Sequence, residues 1–157
     1  MKTLDYLGLD PKNVKKTVDG LQELLANFQV YYTNLRGFHW NVTGMMFFGA
    51  HARFEEYYDD AAAKVDEVAE RILMLGGVPA HNFSDYLKAS AIKETAVVSD
   101  HKEILKLILD NLKVLISLER KVLETASEGD DEGTVALMSD FISAQEKTVW
   151  MLTATLS

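Results

Sequence analysis

Four side chains in the middle third of this sequence have the types and spacing of metal ligands. His51 and Glu55 lie four residues apart, as do Asp66 and Glu70, so on an α-helix each pair projects from one face. Fifteen residues separate His51 from Asp66, which is close to four whole turns and puts the pairs on nearly the same side, roughly 22 Å apart along the axis. No single ion can use both. If two copies of the helix pack antiparallel across a two-fold axis, the His/Glu pair of one chain faces the Asp/Glu pair of the other, and two equivalent sites form. The spacing therefore predicts a dimer. His39 ends the preceding helix, so two imidazoles and the Glu55 carboxylate can converge around the connecting turn. The chain has no Cys, which leaves nitrogen and oxygen donors and favours iron, manganese or zinc.

Each of these residues also has an ordinary reading. A lone His on an apolar face is usually a satisfied core residue; for His51 the nearby His39 and Glu55 argue otherwise. Asp66 and Glu70, beside Lys64 and Arg71, resemble a solvated face with weak ion pairs. They are assigned to the site because they share the side of the helix that bears His51 and Phe54, a side that the bundle or a partner should cover, where unpaired carboxylates are costly. Trp40 adjoins His39 and either packs or, beside a redox metal, supplies an electron. His81 and His101 lack such company and read as surface residues. No nucleophile elbow, phosphate-binding glycine loop or HExxH is found, and the paired Glu-x-x-His of di-iron bundles is absent as well.

The elements that must position these groups are helical. Asp10-Pro11 opens the first, with Val14, Val18, Leu21, Leu25, Phe28, Tyr32 and Leu35 forming a stripe that reaches about His39. Asn41 to Gly44 supply a turn. Phe48, His51, Phe54, Tyr58, Ala61, Val65, Val68, Ile72 and Leu75 mark the second helix, stopped by Gly76-Gly77 and Pro79. Residues 78–98 form a long connection with a short helical turn at Ser84–Lys88, long enough to cross between non-adjacent bundle positions. Asp100 and Glu103 have the spacing of a capping box at the start of the third helix, and Glu128 to Asp131 turn the chain into a fourth. The expectation is an all-α, single-domain four-helix bundle over residues 1–157, with a short extra helix between the second and third long helices.

Composition narrows the class. A chain of 157 residues, 48% hydrophobic and 25% charged, fits one globular domain. No signal-like start and no membrane-length apolar run are seen, so the expected location is cytoplasmic, with no membrane partner. A net charge of −8 opposes generic nucleic-acid binding and suits a collector of cations.

Phe38-His39-Trp40-Asn41-Val42 with Gly44, then Phe48, His51, Phe54 and Glu55, then Asp66, Ala69-Glu70-Arg71 and Gly76-Gly77, resemble in order and spacing the signature of the Dps proteins, the mini-ferritins also called DNA-binding proteins from starved cells. The likeness spans almost the whole chain, including Trp150-Met151-Leu152. It implies a ferritin-like fold, a spherical homododecamer and two ferroxidase centres per dimer interface. Positions matching His39 and His51 come from one subunit there, and those matching Asp66 and Glu70 from the other. Fe(II) is oxidised by hydrogen peroxide or oxygen and stored as ferric mineral inside the shell, which protects against oxidative damage. Many members have Asp where this chain has Glu55, which bears on the second iron position. In the family, acidic residues near the start of the last helix line three-fold pores, a role matching Asp131, Glu132 and Asp140 here; the ordinary reading is an acidic first turn complementing the helix dipole. Members that bind DNA often carry a basic terminal extension, whereas this N-terminus offers only Lys2, Lys12, Lys15 and Lys16. A rival reading is a nucleoid-compacting protein with secondary iron chemistry, and weak or no DNA binding at neutral pH is the expectation set against it.

Overall fold

The computed structural model describes residues 3–157, and its regular structure is helical throughout: α1 (Leu4–Leu7), α2 (Pro11–Asn41), α3 (Phe47–Met74), α4 (Phe83–Ala89), α5 (His101–Glu128) and α6 (Glu132–Leu156). Lys2 lies outside the described residues. The short α1 was not expected from periodicity; its Leu4 side chain lies against Gly76, whose φ of 79° closes α3. Helix α2 runs two residues past His39, and α4 extends the expected turn by one residue at each end.

Capping accounts for the helix starts. Asp10 accepts a hydrogen bond from the Lys12 N–H at 2.8 Å, Asp100 from the Glu103 N–H at 2.8 Å, and Asp131 from the Thr134 N–H at 3.0 Å, each occupying an otherwise orphaned helical donor. The apolar stripes then close one core. Leu21, Leu25, Phe28 and Leu35 of α2 meet Phe54, Val68 and Ile72 of α3, Ile104, Ile108 and Leu115 of α5, and Met138 and Phe141 of α6. Phe48 is an exception to its stripe: it is 86% exposed in the first turn of α3, edge-on to Phe47.

The long connection runs the length of the bundle beside α2, and amide side chains of α2 hold it there. Gln22 donates to the Val78 carbonyl and accepts from the Ala80 N–H. Buried Asn27 accepts from Ser90 Oγ and from the Ala91 and Ile92 N–H groups. Asn34 donates to the Lys93 carbonyl and accepts from the Thr95 N–H, and the Thr43 N–H donates to Ser99 at the far end. The connection thus starts near the beginning of α2 and finishes near its end. As a result α3 and α5 run parallel to each other, and α2 and α6 run antiparallel to them. This is the crossover bundle that the length of the 78–98 segment predicts.

Polar groups occupy the middle of the core. Glu119 of α5 is fully buried and accepts from Gln145 of α6 at 2.5 Å. Lys64 of α3 is buried too; its ammonium bonds Asp60 at 2.5 Å and sits 5.1 Å from the Phe141 ring centre. Burial pushes the Glu119 carboxyl from 4.5 up to about 7, against the opposing pull of Gln145, Lys64 and Arg120. Since the folded-state value lies above the unfolded one, stability from holding this proton is complete below about pH 4.5 and is lost as pH rises through about 7. The full swing is on the order of 3 kcal/mol. Glu119→Gln keeps the hydrogen bond without the charge. Thermal denaturation should show this variant melting above the wild type at pH 8, with the advantage shrinking towards pH 5; a pH-independent difference would contradict the assignment.

Candidate metal centre

Where α2 ends and α3 begins, a five-residue turn brings two imidazoles face to face. The His39 and His51 ring centres are 3.8 Å apart with planes 20° from parallel. Each ring bonds the backbone of the other's residue: His39 Nδ1 lies 2.7 Å from the His51 carbonyl oxygen, and His51 Nδ1 lies 2.8 Å from that of His39. A carbonyl oxygen only accepts, so both Nδ1 atoms carry hydrogen. In the neutral rings both Nε2 atoms are then bare lone pairs, the form in which imidazole binds a metal. Phe47 stacks on His51 with centres 5.1 Å apart, and Tyr58 meets His39 edge-on at 5.4 Å. The pair is locked in orientation before any ligand arrives.

Glu55 stands one turn beyond His51, exposed, with the Tyr58 hydroxyl donating to its Oε1 at 3.3 Å. Through Tyr58 the three candidate ligands at this end form one contact network. Asp66 and Glu70 lie elsewhere. Both are exposed, whereas Phe54 is buried, so of the two covers expected for that side, bundle or partner, the bundle does not supply it. They lie on the adjacent outer face, because four-residue steps drift around a helix of 3.6 residues per turn. The ordinary reading of these acids as ion-paired with Lys64 and Arg71 does not hold either. Lys64 pairs with Asp60 one turn back on the same helix, and Arg71 pairs with Asp131 at 2.5 Å. Among the described residues of one chain, no group of three His, Asp or Glu side chains is close enough to hold a metal ion.

The outer face of α3 that carries Glu55, Asp66 and Glu70 also exposes Phe48, Leu73 and Met74. Such a mixture of apolar and acidic groups has the chemistry of a face awaiting a partner.

The remaining candidates separate. Trp40 is 64% exposed, with the Arg36 guanidinium 5.2 Å from its ring centre, so it does not pack in the core. Asp131 is buried in its bonds to Arg71 and Thr134, while Glu132 and Asp140 are exposed. His81 is exposed as expected. His101 is half-buried rather than a surface residue, because its position at the start of α5 turns it onto Phe54, with ring centres 6.3 Å apart. The buried contact between Glu119 and Gln145 joins residues 26 apart in the chain and leaves no local signal in the sequence.

Residues 18–157 match the family described as ferritin-like domain. Over 153 residues the chain is 50% identical to the DNA protection during starvation protein of Porphyromonas gingivalis, spanning 98% of this chain and 96% of that one. A crystal structure of a Dps protein from Vibrio cholerae O1, described as a member of a broad superfamily of ferritin-like diiron-carboxylate proteins, superposes with a TM-score of 0.93 at 50% identity, covering 95% of this chain and 94% of that chain. A Dps protein from Bacillus brevis gives a TM-score of 0.90 at 33% identity, covering 93% and 98%. The chain carries a ferritin-like domain and belongs to the Dps family.

Proposed function

We propose that this protein is an iron-storing ferroxidase, which binds Fe(II) at sites shared between two subunits, oxidises it with hydrogen peroxide and retains the ferric product inside a dodecameric shell. The observation that carries this reading is the reciprocal His39/His51 pair, with both Nε2 lone pairs free. Fe(II) as substrate suits two imidazoles and carboxylates, and the Fe(III) product gains more than Fe(II) from the negative charge of Glu55, Asp66 and Glu70. Two Fe(II) ions give one electron each to one peroxide, whose O–O bond breaks; the two oxygens leave as water or as hydroxide on the ferric product. Both reactants that otherwise generate hydroxyl radical are consumed together. Where only one Fe(II) is bound, Trp40, exposed beside His39, is the side chain suited to supply the second electron that peroxide takes.

Two features support shared ligation. The roughly 22 Å between the ligand pairs forbids one site per helix, and the uncovered acidic and apolar face of α3 calls for a second copy. Titration of apo-protein with Fe(II), using peroxide and oxygen in parallel, tests the activity directly and ranks the oxidants. His51→Ala and Glu70→Ala should each slow rapid oxidation by more than about tenfold while the assembly stays intact. Mixed dimers of the two variants place both defects in one site and leave the other whole, so they should recover activity. Verified mixed dimers that stay inactive would count against shared ligation.

Iron access is the second expectation. Glu132 and Asp140 are exposed two turns apart on α6, and three such helices around a three-fold axis would make a negative funnel for Fe(II). Asp131 contributes less directly, because its charge is committed to Arg71. Glu132→Gln with Asp140→Asn should slow uptake at limiting iron, most of all at low salt. An uptake rate equal to that of the wild type removes the funnel.

DNA is the third. The basic cluster Lys12, Lys15 and Lys16 is exposed, but Lys15 is paired with Asp19 at 2.6 Å, and each chain carries −8. Non-specific binding needs several unpaired cations that release counterions. Gel shift with intact assembly in Mg²⁺-free buffer, at about pH 7.5 and 0.15 M salt, where the Debye length is about 8 Å, should leave duplex DNA free. Co-migration at submicromolar protein would overturn this.

A further inference from the structure

Glu67 and Glu70 share a groove of about 230 Å³ with Arg71, Met74, Gly133 and Leu137. Glu67 precedes Arg71 by four residues, the arrangement in which a helix ordinarily forms an ion pair. That pair does not form. The guanidinium is engaged elsewhere: Nη2 donates to Asp131 Oδ1 at 2.5 Å, Nε donates to Thr134 Oγ1 at 2.9 Å, and Nη1 lies 3.7 Å from Met74 Sδ. Asp131 is 3% exposed and Arg71 15%, so solvent does little to screen this contact. Gly133 makes room for it, since a Cβ at that position would come within 2.9 Å of Arg71 Nη2. Among the described residues, Glu67 and Glu70 take part in no ion pair.

We infer that Asp131 is a positioning residue for cation binding, holding the Arg71 guanidinium off Glu70 and Glu67 so that these carboxylates stay unpaired for a divalent cation. The inference rests on the reading of Glu70 as a metal ligand. Arg71 is adjacent to Glu70 in sequence and lines the same groove. Released from Asp131, its long side chain has two carboxylates within reach and would compete with the metal for them. Asp131 thus belongs to the site through Arg71, not through iron.

Co(II), titrated into assembled apo-protein, is the probe. Asp131→Asn retains an oxygen to cap Thr134 but gives up the charge that holds Arg71; Co(II) binding should weaken by about five- to tenfold. Arg71→Gln removes the competitor, and Asp131 keeps both of its hydrogen bonds from Thr134. This variant, and the double variant, should bind at least as tightly as wild type. Gly133→Ala, which displaces the guanidinium without changing a charge, should weaken binding like Asp131→Asn and serves if that variant does not assemble. A merely structural ion pair predicts a different pattern, in which losing either partner weakens binding alike. Wild-type affinity in Asp131→Asn, or an Arg71→Gln variant weakened as much as Asp131→Asn, overturns the inference. Glu70→Ala separates the two levels: if it abolishes Co(II) binding while Asp131→Asn is unaffected, only the inference falls, and if it binds Co(II) normally the metal-site reading falls as well.

Discussion

Two hydrogen bonds, from His39 Nδ1–H to the His51 carbonyl and from His51 Nδ1–H to the His39 carbonyl, set the geometry on which the candidate site depends. Either bond alone would tether a ring. Together they fix the separation of two backbones, because each ring can reach its acceptor only if the end of α2 and the start of α3 lie one imidazole stack apart. The intervening turn must then be short, which Gly44 permits at a φ of 97°. The His39 carbonyl also lies in the last turn of α2, where carbonyls lack helical partners, so the His51 ring occupies an acceptor that would otherwise require water. Ligand orientation and helix termination are met by the same contact.

The same economy appears in the long connection. A crossover that lies flat on a helical bundle must satisfy its own peptide groups without strand or helix neighbours. Here Gln22, Asn27 and Asn34 of α2 serve them in sequence order, and Asn27 alone accepts from two N–H groups and a hydroxyl. By occupying the side of α2, the connection sends α5 back to the turn end of the bundle and leaves the outer face of α3 uncovered. That uncovered face carries every carboxylate proposed as a ligand.

How much of this could be read from the residues depended on the range of the interaction. Asp10-Pro11, Asp100 and the apolar stripes are local signals, and the helices they predict are the helices found. The candidate ligands stood out because four-residue spacing is local too. Long-range partners were not. Arg71 sits where an adjacent acid would ordinarily pair with it, yet it bonds Asp131, 60 residues away. Lys64 is held inside partly by the Phe141 ring, and no spacing rule links α3 to α6. For the same reason Asp131 resembled an acidic first-turn residue facing solvent, and Phe48, in step with its stripe, lies just beyond the reach of the core.

The contents of the bundle centre explain why a site on this chain belongs at its surface. Four-helix bundles that hold metal internally point carboxylates and imidazoles inward from facing helices. In this chain the inward positions are taken by Phe28 and Phe141, packed edge to face, by a Lys64 ammonium against Phe141, and by a Glu119 carboxyl whose neighbour is the Gln145 amide. A lysine cation repels a metal ion, and a carboxyl pushed towards its protonated form is a poor ligand near neutral pH. The imidazole pair sits where α2 ends and α3 begins, and Asp66 and Glu70 lie on the outer face of α3, about four turns away. A helix cannot fold back to join them. A second helix laid antiparallel can, so in the proposed assembly the metal chemistry and the association of subunits arise from the same face.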